Sequence, residues 1–207
     1  MLLANNIFFK RNNKDILSDI SLSLAPKNII HLTGNNGSGK TTLLKILTHI
    51  LVPDKGEIFW KGKNIKKNLF DFYKDITFIM DKETSNTNLT VNENVLFWKK
   101  MFSSPRKKKE IDSILELLSL NQYKNTLASY LSYGEIKKLE LSRLIIEHKK
   151  LWILDEPYIG LDESSINLIN LTIVNHIELE GMVIFTSHIK PDIPNLETIH
   201  LEDNAKY

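Results

Sequence analysis

The chain has 207 residues, 42% hydrophobic and 25% charged, an ordinary globular composition with room for one sizeable core or a core plus a small appended subdomain. A formal net charge of +2 gives no general drive toward nucleic acid, and the absence of cysteine excludes disulfides, thiolate metal sites and cysteine nucleophiles together. Met1 to Arg11 lacks the pattern of a signal peptide, and no window holds the roughly 20 uninterrupted apolar residues of a membrane span, so work at a membrane requires a membrane partner.

In chain order, Ile7-Phe8-Phe9 and Ile16 to Leu24 read as strands, the second alternating in Ile20-Ser21-Leu22-Ser23-Leu24 as a half-buried strand does. The apolar run Ile29-Ile30-His31-Leu32 leads into Gly34-Asn35-Asn36-Gly37-Ser38-Gly39-Lys40-Thr41-Thr42 and then the helical segment Leu43 to Leu47. Three of the chain's 8 glycines fall in that loop. A strand, a glycine turn and a helix start suit a triphosphate: backbone N–H groups curl round the phosphates and the helix presents its positive end to them. Lys40 is then expected to reach the β- and γ-phosphates and the Thr41 hydroxyl to hold Mg²⁺.

Pro53-Asp54-Lys55-Gly56 is a turn feeding the strand Glu57 to Trp60, with Gly62 closing a short hairpin, and Ile76 to Met80 is a further strand. From about Asp81 to His148 helical spacing takes over, in Val91, Val95 and Trp98, then Ile111, Ile114, Leu115 and Leu118, then Leu141, Leu144 and Ile145. The β pattern resumes with Leu151 to Leu154, a helix from Glu163 to Leu179, a strand from Met182 to Phe185 and a last strand from Thr198 to Leu201. Strand–helix alternation predicts an α/β fold whose mostly parallel sheet is covered on both faces and binds phosphates at the strand C-terminal ends.

Three further constellations carry chemistry. Leu151-Trp152-Ile153-Leu154-Asp155-Glu156 is a buried strand ending in two acids, placing Asp155 to hold the metal and Glu156 to act as general base toward a water. Ser132 and Glu135 have the S-x-x-E spacing of a capping box, and a serine-capped helix start beside the Gly134 amide is also an anion site. His188 follows the strand ending at Phe185, where a neutral imidazole meets a γ-phosphate or the catalytic water, whereas His31, His49, His148, His176 and His200 read as packed or surface residues. Gly160-Leu161-Asp162 is a tight turn whose plain reading is the N-cap of the next helix.

These pieces, in this order, resemble the nucleotide-binding subunits of ABC transporters over nearly the whole chain. Residues 34–42 resemble Walker A, 131–135 the signature motif, 151–156 Walker B, 160–162 the D-loop and His188 the H-switch. The resemblance implies a P-loop NTPase fold of ABC type, with 1–80 and 149–207 forming a RecA-like core plus an N-terminal antiparallel β subdomain, and 81–148 a helical subdomain. It also implies ATP and Mg²⁺ as cofactors, and a head-to-tail homodimer in which Ser132 and Gly134 of one protomer complete the site containing Lys40 of the other. The signature reads Leu-Ser-Tyr-Gly-Glu instead of carrying two glycines and a glutamine, and Asp81-Lys82 stands where a Q-loop glutamine is expected. The adenine-stacking position falls on Arg11, with Phe9 as second choice; a guanidinium stacks on a base as a ring does.

Within that family, Arg11, residues 56–62, residues 89–97 and the short length after His188 resemble the ATPase subunits that energise haem export in cytochrome c maturation. Partners of the CcmB-like and CcmC-like membrane type, and a peripheral place on the cytoplasmic face of the inner membrane, are implied by that resemblance. Trp98 and Phe97 are candidates for receiving a partner's coupling helix, though core packing explains either alone. The other readings are an ATPase subunit of a different ABC transporter, or a nucleotide-gated module that does not hydrolyse. A chromosome or DNA-repair ATPase requires heptad arms that are absent.

Overall fold

A computed structural model of the chain describes residues 1–201. Strands β1 (Leu2–Arg11) and β2 (Lys14–Leu24) form a hairpin whose turn, Asn12-Asn13, has φ of 52° and 62°, the doubly left-handed geometry that matches strand twist. Next come β3 (Ile29–Thr33), α1 (Lys40–Leu47), β4 (Lys55–Trp60), β5 (Lys63–Asn64), α2 (Leu69–Asp75) and β6 (Ile76–Ile79). Helices α3 (Val91–Met101), α4 (Lys108–Leu117) and α5 (Tyr133–Ile146) fill the span before β7 (Leu151–Leu154), and α6 (Glu163–Glu178), β8 (Met182–Thr186) and β9 (Leu196–His200) follow.

The strands form two sheets, one antiparallel in the order β2-β1-β4-β5 and one parallel in the order β6-β7-β8-β3-β9. Period-2 alternation splits the parallel sheet between two cores. Ile30, Leu32, Leu151, Ile153, Met182 and Ile184 point to the side shared with α1 and the antiparallel sheet. Trp152, Leu154, Val183 and Phe185 point to the side covered by helices α3 to α6. A fully buried side chain of this size contributes about 1.5–3 kcal/mol, so strands that are apolar on both faces are fixed in the middle of the molecule. Their register places Ile79 beside Leu154, Leu154 beside Phe185, and Leu32 beside Thr186, which brings the residues after β3, β7 and β8 to one carboxyl edge.

Several elements depart from the sequence expectation. Strand β1 begins five residues before Ile7, and β9 begins at Leu196, two residues before Thr198. Helix α2 was not anticipated because only Phe72 among its seven residues is buried, which leaves no helical stripe to read. Trp98 is packed in the helical core, so of the two aromatics on α3 only Phe97 faces outward.

Candidate functional site

The loop after β3 is shaped by Gly34, whose φ of 141° and lack of Cβ allow Leu201 O and the Ser38 hydroxyl to come where a side chain would stand, 2.5 and 2.6 Å from that position. Lys40 opens α1 and turns its ammonium back into the loop, donating to the carbonyls of Gly34 at 2.7 Å and Asn35 at 3.0 Å. Ser38 Oγ is buried within the same loop and has no hydrogen-bond partner among the described residues. An inward ammonium and an orphaned hydroxyl at a helix N-terminus make a concavity suited to an anion. Asn35, Asn36, Gly37 and Thr41 are exposed along its rim, Gly39 is the N-cap of α1, and Thr42 is half-buried just inside the helix.

The carboxyl edge of the sheet supplies the acids. Asp155 is buried and its Oδ1 accepts from Thr41 Oγ1 at 3.1 Å and Thr186 Oγ1 at 2.8 Å, while its N–H donates to Ile79 O at 2.8 Å. Thr186 Oγ1 in turn accepts the Glu156 N–H at 2.9 Å, so one hydroxyl at the end of β8 sets both acids of β7. Thr186 carries no signal of this role in the sequence, because the role depends on β8 lying beside β7. Glu156 sits at φ 48°, a left-handed conformation uncommon for a non-glycine residue and a form of local strain that clusters at functional sites.

Burial is the main influence raising the Glu156 carboxyl above the ordinary carboxylate range; His188 opposes it and Asp155 adds to it. A carboxyl so raised is better matched to taking a proton near neutral pH. His188 Nε2 lies 3.6 Å from Glu156 Oε1, with the imidazole half exposed and the carboxylate largely covered. His31 is packed, as expected, stacked on Phe185 with its Nε2 3.0 Å from Ser187 O, which braces the segment leading to His188.

Thr41 Oγ1 and Asp155 Oδ1 form an oxygen-only pair of the kind Mg²⁺ prefers, and no cluster of three or more His, Cys, Asp or Glu suited to a metal occurs among the described residues. A cation held here therefore draws its remaining ligands from water or phosphate. Leu17, which pairs with Phe9 across the hairpin, packs against Gly39, so the β1–β2 tip borders the loop. Phe9 is half-buried against the neighbouring core, while Arg11 is exposed beside the turn.

The start of α5 is built separately. Ser132 and Glu135 make the reciprocal capping bonds that their spacing predicts: Ser132 N–H donates to Glu135 Oε2 at 2.7 Å and Glu135 N–H to Ser132 Oγ at 3.4 Å. Tyr123 and Ser132 bonds together hold the Glu135 carboxyl below its ordinary range, despite partial desolvation. Tyr133 finds room by lying over Gly160, whose φ of 79° and missing Cβ leave space for the ring. Gly134 packs on the Gly160 carbonyl, and Asp162 caps α6 by accepting the Ser165 N–H at 2.8 Å. Among the described residues no hydrogen bond or ion pair joins Ser132 or Gly134 to Lys40, Thr41, Asp155, Glu156 or His188 of the same chain.

Comparison with known proteins gives the same outline. The ABC transporter family profile matches residues 17–159. A Vibrio vulnificus (strain YJ016) protein named cytochrome c biogenesis ATP-binding export protein CcmA is 31% identical over 205 residues, covering 98% of this chain and 100% of that one. Among solved structures, a Pyrococcus furiosus chain described as a putative ABC transporter ATP-binding protein aligns with TM-score 0.83 and 26% identity over 97% of this chain and 96% of its own. A dimeric ATP-binding cassette captured in a post-hydrolysis state with ADP and Pi aligns with TM-score 0.84 and 22% identity, over 99% of this chain and 95% of its own.

Proposed function

This chain belongs to the ABC transporter family, and from that premise we infer that it is the ATP-hydrolysing subunit of an export complex acting in cytochrome c maturation. The observation that carries the reading is the convergence of Lys40, Thr41, Asp155 and Glu156 on one edge of the parallel sheet, with Thr186 holding the acids in place. The amides of residues 34–42 and the Lys40 ammonium take the phosphate tail, and Arg11, or Phe9, stacks on adenine. Thr41 and Asp155 hold Mg²⁺, which when bound offsets negative charge on the phosphates. Glu156 accepts a proton from water as its oxygen bonds to the γ-phosphorus; the bond to the ADP oxygen breaks, and ADP and phosphate leave. His188, 3.6 Å from Glu156, orients the water and the γ-phosphate.

The helix start at Ser132 and Gly134 has no role in this constellation within one chain and becomes useful when a second copy presents it head-to-tail to the first. That a structural neighbour is dimeric with ADP and Pi bound is consistent with pairing of two copies. No helix among the described residues is long and apolar enough to cross a membrane. Residues 81–148 act as the helical subdomain, and Leu96, Phe97 and Met101, exposed along α3, form the surface that receives a membrane subunit. The relative's name supports work in cytochrome c biogenesis; by the sequence resemblance, the partners are CcmB-like and CcmC-like, the place of action is the cytoplasmic face of the inner membrane, and the work serves haem delivery.

A second reading, a nucleotide-gated module without hydrolysis, is favoured by Asp81-Lys82 in place of glutamine and by Tyr133-Gly134-Glu135 in the signature. Phosphate release measured with co-purified membrane subunits separates the two. Release that vanishes in Glu156→Gln supports the ATPase, and none above background in the wild-type complex supports the module. Identifying the integral subunits that co-purify from membranes tests the cytochrome c assignment.

A further inference from the structure

His31 is 2% exposed and stands on β3 just before the phosphate loop, stacked on Phe185 of β8 with ring centroids 4.7 Å apart and planes within 6°. Tyr158, shortly after Glu156, packs edge-on against the same Phe185 ring at 6.0 Å. The three rings tie β3, β8 and the chain after β7 into one row, and the stack fixes the plane of the imidazole. Its edge reaches Ser187 O, 3.0 Å from Nε2. A carbonyl only accepts, so Nε2 carries the proton and Nδ1 keeps a lone pair. That lone pair has no hydrogen-bond partner among the described residues. Burial, the main influence, lowers the His31 pKa from 6.5 and favours this neutral form.

An unsatisfied nitrogen in an apolar core is costly, and an apolar side chain avoids that cost. What the imidazole supplies instead is a donor at one particular place. The register of β3 with β8 ends at Leu32 beside Thr186, so Ser187 lies past the last sheet pair. Its carbonyl accepts from His31, and its hydroxyl accepts the Ile189 N–H at 3.1 Å. Ser187 is buried, whereas His188 is exposed beside it with Nε2 3.6 Å from Glu156 Oε1. Two adjacent residues at the end of β8 therefore divide the work. Thr186 sets Asp155 and Glu156, and Ser187, held by His31, sets the base from which His188 extends.

We propose that His31 is a positioning residue for the ATPase reaction, its Nε2–H holding Ser187 O so that His188 stands at Glu156 and the bound γ-phosphate. The inference rests on the ATPase reading above and on the role given there to His188. Because β3 runs directly into the phosphate loop, the same bond fixes His188 relative to the strand that carries Lys40.

The test uses the full chain in its membrane complex, comparing phosphate release by His31→Leu, His31→Gln, His188→Ala and the double variant His31→Leu/His188→Ala with wild type. His31→Leu is expected to lower kcat about tenfold, the loss of a reacting group misplaced but not removed, with KM for Mg-ATP within about twofold. The glutamine amide nitrogen stands as far along its side chain as Nε2 does in histidine, so His31→Gln keeps the donor and more than about half of kcat. In the His188→Ala background, His31→Leu changes kcat by less than about twofold, since it acts through the side chain already removed. Where His31→Leu fails to assemble, His31→Met, unbranched and without a donor, takes its place. Unchanged kcat in His31→Leu, with His188→Ala impaired, overturns the proposal and leaves the ATPase reading standing. An equal fall in His31→Leu and His31→Gln overturns it as well, because it marks a packing role, and so does a tenfold fall that persists in the His188→Ala background. Undiminished turnover in His188→Ala removes the role of His188 and this inference with it, and a wild-type complex that hydrolyses no ATP removes the ATPase reading as a whole.

Discussion

The phosphate loop and the start of α5 are both polar helix N-termini, but they reach satisfaction differently. Among the described residues, the loop leaves Ser38 Oγ without a partner and holds Lys40 by the backbone carbonyls of Gly34 and Asn35. At α5, Ser132 and Glu135 satisfy each other and Tyr133 covers Gly160. The first is open to a ligand; the second is locally complete. In the proposed pairing, a twin molecule brings in the second helix start from outside without dismantling it.

Breaking the loop's chemistry gives the largest effect. Glu156→Gln, which keeps shape and removes the proton acceptor, should cut turnover by ~10²–10⁴-fold while ATP remains bound, read by phosphate release and nucleotide retention. In the wild type, turnover should fall as pH drops through the raised Glu156 value, because the protonated carboxyl cannot accept a proton. Lys40→Ala should weaken Mg-ATP binding by about 10- to 100-fold in calorimetry, the loss of a charge-assisted bond to phosphate. Ser132→Ala sharpens the contrast: nucleotide affinity of the lone chain stays within about twofold, ATP-driven dimerisation weakens, and the lost cap lowers stability by about 1 kcal/mol.

The smallest effect lies far from both helix starts. His176 stacks on Trp152 at 3.7 Å, and burial lowers its pKa from 6.5 to about 4. The unfolded chain takes up this proton first as pH falls, so the stabilising contribution present above pH 6.5 is lost progressively toward pH 4. His176→Phe should flatten that part of the stability–pH curve, measured by denaturant unfolding, without changing ATP affinity.

The sequence made legible whatever is written along a few consecutive residues. The P-loop follows β3 directly, Asp155 and Glu156 follow β7, and the cap at Ser132 and Glu135 spans a single turn. Asp162 as the cap of α6 belongs to the same class. What depends on elements meeting across the fold stayed hidden. Thr186 acts only because β8 lies beside β7, and Tyr133 fits only because residue 160 is a glycine in a left-handed turn. Trp98 shares the i, i+4, i+7 stripe of Val91 and Val95 that packs inward, whereas Phe97 lies off that stripe and faces outward. Lys137 is buried on α5, which packs against β6, a place that no run of neighbouring residues spells out.

Light scattering on the Glu156→Gln chain, with and without Mg-ATP, tests the twin-molecule arrangement most directly. The account predicts the mass of one chain without nucleotide and of two with it, and a return to one when Ser132→Ala is added at limiting protein concentration. A mass of one chain at saturating Mg-ATP, with nucleotide demonstrably bound, would contradict it.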